Sequence, residues 1–314
     1  MSTVTKSPRK VAAVALEVGE RTLPTFSCAK SRQTFTLPQL FACLVLRQFW
    51  KADYRKTTAF LTDMPRLRED LGLRKVPHYT TLQKAEARLL TDDRIRDMLE
   101  VQIAMFFKHP GKQSKAKTAE VIRQAAADST GISIDQASRY FVKRQKNEIR
   151  KAHEKKGKPR TNRRYAKLGL LVCCGTHFIL SALPGMGPKP DVNELRPMVE
   201  KMPGNVLLEQ MLLDAGYDSE PNHELVREEL DAESVIPPLA GRPSENLPTG
   251  KYRWLMATDF NDDDYGQRSQ VEAVNFMLKQ HLGSVIASRK EDSRMRELSL
   301  RSLAFNCLRI AAEG

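Results

Sequence analysis

Four polar residues near the C-terminus share a spacing that suits chemistry on a phosphate group. They are Tyr265, Arg268, Glu272 and Lys279. On a helix that begins at Tyr265 and turns ~100° per residue, they fall at about 0°, 300°, 340° and 320°, in a stripe about 21 Å long. A carboxylate between cations can hold a metal ion while the cations hold phosphate oxygens. The stripe therefore predicts a site for a metal ion and a phosphate backbone.

The same segment carries a second, apolar stripe beside the polar one. Val271, Val274, Leu278 and Leu282 fall at roughly 180–260° on that helix. Such a stripe is typical of a helix that packs on a hydrophobic core. We therefore expect a core to hold this helix and to leave the polar stripe at its edge.

The spacing Y-x2-R-x3-E-x6-K resembles the signature of bacterial insertion-sequence transposases of the DDE type. The resemblance extends from about Val121 to Ala312, where Gly283, Arg289 and Asn306 also fit the family's C-terminal part. It implies a ribonuclease-H-like fold on which three carboxylates bind catalytic metal ions. It also implies two aspartates upstream, each at the end of a strand.

Two aspartates occur in the expected order. Asp128 follows the run from Ala119 to Ala127, and Asp214 follows the apolar segment from Val206 to Leu213. By resemblance, Asp128, Asp214 and Glu272 are the catalytic carboxylates.

By the same resemblance, these three residues are the ligands of two Mg²⁺ ions, for which Mn²⁺ can substitute. Carboxylates suit Mg²⁺, which prefers hard oxygen ligands. Two ions roughly 4 Å apart can activate the attacking oxygen and stabilise the leaving oxygen of a phosphodiester. The resemblance assigns Tyr265, Arg268 and Lys279 to DNA phosphates.

Each carboxylate also has a simpler interpretation. Asp128 and Asp214 precede small residues and could each begin a turn, and Glu272 with Arg268 could be an ordinary i,i+4 ion pair. Other acidic residues have local roles or compete for the site: Asp218 as a helix cap, Asp231 at a helix end, Asp262 to Asp264 at a helix N-terminus, and Asp135 as a competing carboxylate close to Asp128.

The charge of the chain predicts an anionic partner. Its formal net charge is +13, and the segment from Lys143 to Lys167 holds twelve Lys or Arg residues against two Glu. This segment is either a solvated arm or a DNA-binding surface. For the second case the candidate contacts are Lys143, Arg144, Arg163 and Arg164.

Cysteine spacing and hydropathy exclude several other classes of protein. The five cysteines form no C-x-x-C pair, which argues against a disulfide framework or a zinc site and favours a reducing cytoplasm. No apolar run is long enough to span a membrane, and no apolar region follows the basic N-terminal residues as in a signal peptide. We expect a bacterial cytoplasmic protein that joins the nucleoid when it is bound to DNA.

Composition divides the chain into three parts. Residues 1–35 lack clear periodicity and predict a weakly ordered segment. Residues 36–112 carry helical patterns and predict either a DNA-end-binding domain or a helical cap on the core. Residues 119–314 predict the ribonuclease-H-like catalytic domain.

Residues from 119 onward predict an α/β fold with a mixed sheet flanked by helices. We expect a strand from Val121 to Ala127, a turn at Gly131 and a returning strand from Ile132 to Val142. Two more apolar strands, Leu168 to Cys174 and His177 to Leu183, precede alternating helices and strands.

Together these features predict a DNA transposase that cuts and rejoins strands at insertion-sequence ends. Its partners would be element ends and target DNA, and the resemblance implies a homodimer when two ends are brought together. Two alternatives stay open at this point. One is a ribonuclease-H-like nuclease without joining activity, and the other is a non-catalytic DNA-binding protein derived from a transposase.

Overall fold

The computed structural model describes residues 4–28, 30, 33–107, 120–134, 165–239, 247–260 and 262–313. The region before residue 108 is helical. Its helices are α1 (Pro8–Thr22), α2 (Leu37–Phe49), α3 (Tyr54–Asp63), α4 (Pro65–Asp70), α5 (Tyr79–Leu89) and α6 (Asp92–Phe106).

Helix α1 corrects the expectation of a weakly ordered N-terminal segment. It begins after Ser7, whose hydroxyl accepts from the backbone N–H of Lys10, and it buries Val11 and Val18. The missed signals were the Ser-Pro start and an apolar face of small residues. By contrast, helix α2 begins as expected after Thr36, which forms a reciprocal capping box with Gln39.

A six-stranded mixed sheet forms the centre of the molecule. Its strands are β1 (Glu120–Ile134), β2 (Tyr165–Cys173), β3 (Ile179–Gly187), β4 (Val206–Leu213), β5 (Glu233–Val235) and β6 (Val285–Ile286). The order is β3-β2-β1-β4-β5, and β6 pairs with the far end of β1. Strands β1, β2 and β3 are antiparallel neighbours, whereas β4 and β5 run parallel to β1. This arrangement is the expected ribonuclease-H-like α/β fold.

Strand β1 is longer than the sequence predicts. It passes through Asp128 and Gly131 without a turn, so the expected break at Gly131 was wrong. A Cβ at Gly131 would lie 3.1 Å from the ring of Tyr165 on the neighbouring strand. The glycine therefore accommodates an aromatic ring across the sheet, a contact that local sequence patterns do not reveal.

Six α-helices in the described residues follow the first three strands, and only the last two of them are long. They are α7 (Leu195–Glu200), α8 (Glu220–Glu224), α9 (Lys251–Thr258), α10 (Asp262–Tyr265), α11 (Ser269–Leu282) and α12 (Glu291–Glu313). No helix in the described ranges is long and apolar enough to cross a membrane.

Successive side chains of the central strands point to opposite faces of the sheet, and each face carries one apolar cluster. Ala126 and Leu212 belong to the cluster that also contains buried residues of α1, α2, α11 and α12. Ala125 and Met211 point to the opposite cluster, with α7 and the segment around Tyr217. Helices α1 and α2 thus pack on the same face as α11, whereas the end of α6 around Ile103 belongs to the opposite cluster. Whether residues 36–112 also bind DNA ends stays a prediction.

Candidate active site

The sheet register brings the two aspartates together. Ala127 of β1 pairs with Leu213 of β4, and these strands are parallel. Asp128 and Asp214 are the next residues on each chain, so they lie at adjacent positions. Asp214 follows the end of its strand as expected, but Asp128 lies inside β1. It is the point where the parallel pairing with β4 stops while the antiparallel pairing with β2 continues.

Helix α11 carries Glu272 to this edge of the sheet. Its predicted apolar stripe, Val271, Val274, Leu278 and Leu282, is buried and packs on the core. Gly283 ends the helix at φ +98°, a conformation that favours glycine.

The single helix predicted from Tyr265 onward is interrupted in the structure. Helix α10 ends at Tyr265, a 3₁₀ turn covers Gly266–Arg268, and α11 begins at Ser269. Glycine is a poor helix former, and the tighter turn changes the direction of Arg268 relative to the helix that follows.

The guanidinium of Arg268 lies between all three carboxylates. Its Nη2 is 2.8 Å from Asp214 Oδ2 and 3.8 Å from Asp128 Oδ1, and its Nη1 is 2.6 Å from Glu272 Oε1. The side chain of Arg268 is only 15% exposed. One cation therefore brings together three acidic residues that are far from one another in the sequence.

Asn275, one turn after Glu272, is a site residue that sequence reasoning missed. Its Nδ2 donates to Asp128 Oδ2 at 3.1 Å. Among the described side chains, its Oδ1 is buried without a hydrogen-bond partner, as is Nε of Arg268. The available signal was its i,i+3 relation to Glu272, which puts both residues near the same edge of α11.

Burial and neighbouring charges set the protonation of the site. Burial raises the pKa of the Asp128 carboxyl, and the Ser129 backbone N–H and the Arg268 cation oppose that shift only in part. Burial lowers the pKa of Arg268, but Asp214, Asp128 and Glu272 outweigh it, so the net shift is upward. Arg268 therefore keeps its charge at the centre of the site.

Tyr265 lies close enough to Asp214 and Glu272 for their charges to act on its phenol, and Lys279 lies about two turns beyond Glu272 on α11. The Tyr265 ring packs edge-on against Phe260 at 5.3 Å, and burial raises the pKa of its phenol. Lys279 is half-buried on α11. Phe276, which the sequence did not single out, lies between Glu272 and Lys279 on the same face of α11 and is 66% exposed.

The remaining sequence candidates have mixed outcomes. Lys143, Arg144, Arg163, Arg164 and the competing Asp135 lie outside the described residues. Lys167, the last residue of the basic segment that the sequence predicted to be either a solvated arm or a DNA-binding surface, is buried in β2 at 3% exposure.

Asp218 is not the predicted helix cap. Ser219 caps the following helix, and Asp218 instead accepts two hydrogen bonds from Arg253 at 2.8 Å.

The donor set suits a hard divalent cation, but the present arrangement holds a guanidinium. Within the described ranges, no group of three His, Cys, Asp or Glu residues is spaced to hold a metal ion. The three carboxylates and the unpartnered Asn275 Oδ1 are oxygen donors of the kind that Mg²⁺ or Mn²⁺ prefers. Their chemistry, though not their present spacing around the guanidinium, suits such an ion.

Comparison with protein families identifies the chain. The family model of the transposase DDE domain matches residues 120–307, which span β1 to α12. The chain belongs to the DDE transposase family. No curated protein matches it.

The family match establishes a DNA transposase with a ribonuclease-H-like fold, as the sequence predicted. Members of this family generally use divalent metal ions, and the transposase domain implies DNA binding. The matched region contains Asp128, Asp214 and Glu272, although the match does not assign roles to individual residues.

Proposed function

We propose that this transposase uses Asp128, Asp214 and Glu272 to hold two Mg²⁺ ions for strand cleavage and strand transfer at the ends of an insertion sequence. One observation carries the proposal: a single guanidinium, that of Arg268, contacts or approaches all three carboxylates. Acidic residues that already share one cation can exchange it for another. Bound metal ions would activate the attacking oxygen and stabilise the leaving oxygen.

The protein's own residues have separate tasks in this proposal. Asn275 orients Asp128 through a hydrogen bond to Oδ2. Arg268 leaves the carboxylates and donates to a DNA phosphate, because a planar guanidinium can bind either group with paired hydrogen bonds. Tyr265 and Lys279 contact phosphates next to the cleaved bond, and Phe276 offers an exposed ring to the DNA beside them.

The reaction consists of two displacements at phosphorus. In the first, a water oxygen bonds to phosphorus and gives a proton to solvent, while the bond from phosphorus to the 3′ oxygen breaks and that oxygen takes up a proton. In the second, the oxygen of this 3′ hydroxyl bonds to the phosphorus of a target phosphodiester and gives its proton to solvent, while the target's 3′ oxygen leaves and takes up a proton. We place both reactions in the bacterial cytoplasm, on nucleoid DNA, with two copies of the chain joining two element ends.

The decisive experiment follows labelled element ends in the presence of Mg²⁺. Asp128→Asn should abolish both cleaved and joined products, since the substitution removes the negative charge and one of the two oxygens with which Asp128 would hold the metal ions. The matched control is Asp97→Asn, which changes an exposed aspartate on α6 and should leave both products unchanged. Full activity of Asp128→Asn would refute the assignment of Asp128 as a metal ligand. If the wild-type protein cleaves the ends but never joins them, the activity is that of a nuclease.

A further inference from the structure

A second group of charged residues lies behind the proposed catalytic carboxylates. Lys167 of β2 is almost fully buried, and its Nζ lies 2.8 Å from Asp191 Oδ1 and 2.7 Å from Glu194 Oε2. It also donates to the carbonyl of Lys189 at 2.7 Å. Lys167, Asp191 and Glu194 are called the lysine cluster below.

Lys167 remains charged in spite of its burial. Desolvation lowers the pKa of its ammonium, but hydrogen bonds from the ammonium to Asp191 and Glu194 raise that pKa by more. The net shift of the pKa is therefore upward. A buried cation with well-placed acceptors fixes their positions, because moving either carboxylate leaves charge uncompensated. The lysine cluster is therefore a stiff anchor between β2 and the segment that follows β3.

Asp191 links this anchor to the residue after Asp128 and to the turn after Asp214. It accepts a hydrogen bond from Ser129 Oγ at 2.7 Å, and Ser129 follows Asp128. Its Oδ2 lies 3.7 Å from the position of a Cβ on Gly216. Gly216 belongs to the 3₁₀ turn Ala215–Tyr217, which begins immediately after Asp214. One carboxylate thus binds the residue that follows Asp128 and lies near the turn that follows Asp214.

Tyr217 is buried close to the acidic residues of the lysine cluster and to the proposed catalytic aspartates. Its side chain is 1% exposed, and its Oη has no hydrogen-bond partner among the described residues. Burial raises the pKa of its phenol, and the charges of Asp191 and Asp128 raise it further. The ring therefore stays neutral beside both groups of acids.

We propose that the lysine cluster is a positioning device that sets the separation of Asp128 and Asp214 for metal binding, with Asp191 as its central residue. This inference rests on the proposed function. Residues that orient metal ligands from behind typically change metal affinity about 10- to 100-fold when removed. The lysine cluster acts through the backbone next to the ligands, so the lower end of that range is expected.

Mn²⁺ binding to the full-length chain tests the proposal, with free Mn²⁺ measured by electron paramagnetic resonance. Asp191→Ala should weaken Mn²⁺ binding about tenfold, and Ser129→Ala, which removes one hydroxyl and little else, about threefold. Asp191→Asn keeps an acceptor oxygen for Ser129 and Lys167 and should stay within about twofold of wild type. This rescue by an isosteric residue distinguishes positioning from a general loss of stability.

Two controls separate the possible failures. Arg196 on neighbouring α7 forms an exposed ion pair with Glu229. Arg196→Ala breaks this pair and should not alter Mn²⁺ affinity. If folded Asp191→Ala and Ser129→Ala bind Mn²⁺ as wild type does while Asp128→Ala loses binding, the inference fails and the proposed function stands. If Asp128→Ala also binds normally, the proposed metal site itself is wrong.

Discussion

At the scale of single residues, Arg268 has two roles that compete. It neutralises Asp128, Asp214 and Glu272 in the free protein, and in the proposed function it moves to a DNA phosphate. The metal ions and the guanidinium would bind the same carboxylate oxygens. Because the guanidinium competes for them, the free protein should bind metal ions weakly. Entry of a phosphate should strengthen metal binding, because it gives Arg268 another anionic partner.

Arg268→Ala should therefore have opposite effects on metal binding and on catalysis. The free chain should bind Mn²⁺ about tenfold more tightly, because a charge-assisted contact of the carboxylates is lost. End cleavage should slow by about tenfold or more, because the phosphate loses its guanidinium partner. Mn²⁺ titration without DNA and single-turnover cleavage measure the two effects. Unchanged Mn²⁺ affinity would show that Arg268 does not compete for the site.

Protonation of Asp128 should also limit activity at low pH. Burial raises the pKa of this carboxyl, and Arg268 opposes that shift. Since only the ionised form binds metal well, cleavage should decline with falling pH at values above the ordinary range of an aspartate. In Arg268→Ala this decline should begin at a still higher pH. Rate profiles of both proteins at limiting Mg²⁺, where the metal-free carboxyl titrates, test the sign, and a shift to lower pH would contradict it.

At the scale of elements, the sequence predicted those features whose signals are local. The end of β4 at Asp214 and the apolar stripe of α11 follow from short periodic runs. The continuation of β1 through Gly131 depends on the Tyr165 ring across the sheet. The contact between Arg268 and Asp214 depends on tertiary packing. Neither can be read from neighbouring residues alone.

Asn306 shows how one residue joins several elements. It is fully buried in α12, its Oδ1 accepts from Ile179 N–H at 3.0 Å, and its Nδ2 donates to Ile179 C=O at 2.9 Å. It thereby pairs both backbone groups at the start of edge strand β3. Its Nδ2 also lies 3.3 Å from Gln102 Oε1 on α6. The asparagine connects the C-terminal helix, the sheet and the N-terminal helices.

Asn306→Ala should lower the free energy of unfolding by about 2–4 kcal/mol, because it leaves two buried backbone groups of Ile179 without partners. Glu313→Gln, at the exposed end of the same helix, should change it by less than about 0.5 kcal/mol. Urea denaturation followed by circular dichroism measures both values. Equal stability of the two variants would mean that the Ile179 backbone finds other partners.

At the scale of the whole molecule, two apolar clusters hold the helices to the two faces of the sheet, and the proposed site occupies one edge between them. The cluster on the α8 side contains the buried segment next to His223. His223 Nδ1 lies 2.7 Å from Ser234 Oγ, which also accepts from Arg227 Nε at 2.7 Å. A neutral imidazole whose Nδ1 carries no proton accepts the serine proton in this arrangement, and burial favours that uncharged form.

His223 should make the stability of the entire chain depend on pH. Burial lowers its pKa from 6.5 to about 4, so the unfolded chain binds a proton between these values that the folded chain excludes. The stabilising contribution is complete above pH 6.5 and is lost as pH falls toward 4, by on the order of 2–3 kcal/mol.

Denaturant titrations at several pH values measure this loss, and His223→Gln provides the comparison. The amide still accepts from the Ser234 hydroxyl but does not titrate, so the variant should lose less stability than wild type as pH falls from 6.5 to 4. Carboxylates that titrate in this range are the same in both proteins and cancel in the difference. Parallel curves for the two proteins would show that the imidazole is protonated in the folded chain, and the hydrogen bond from Ser234 would then have to be reversed.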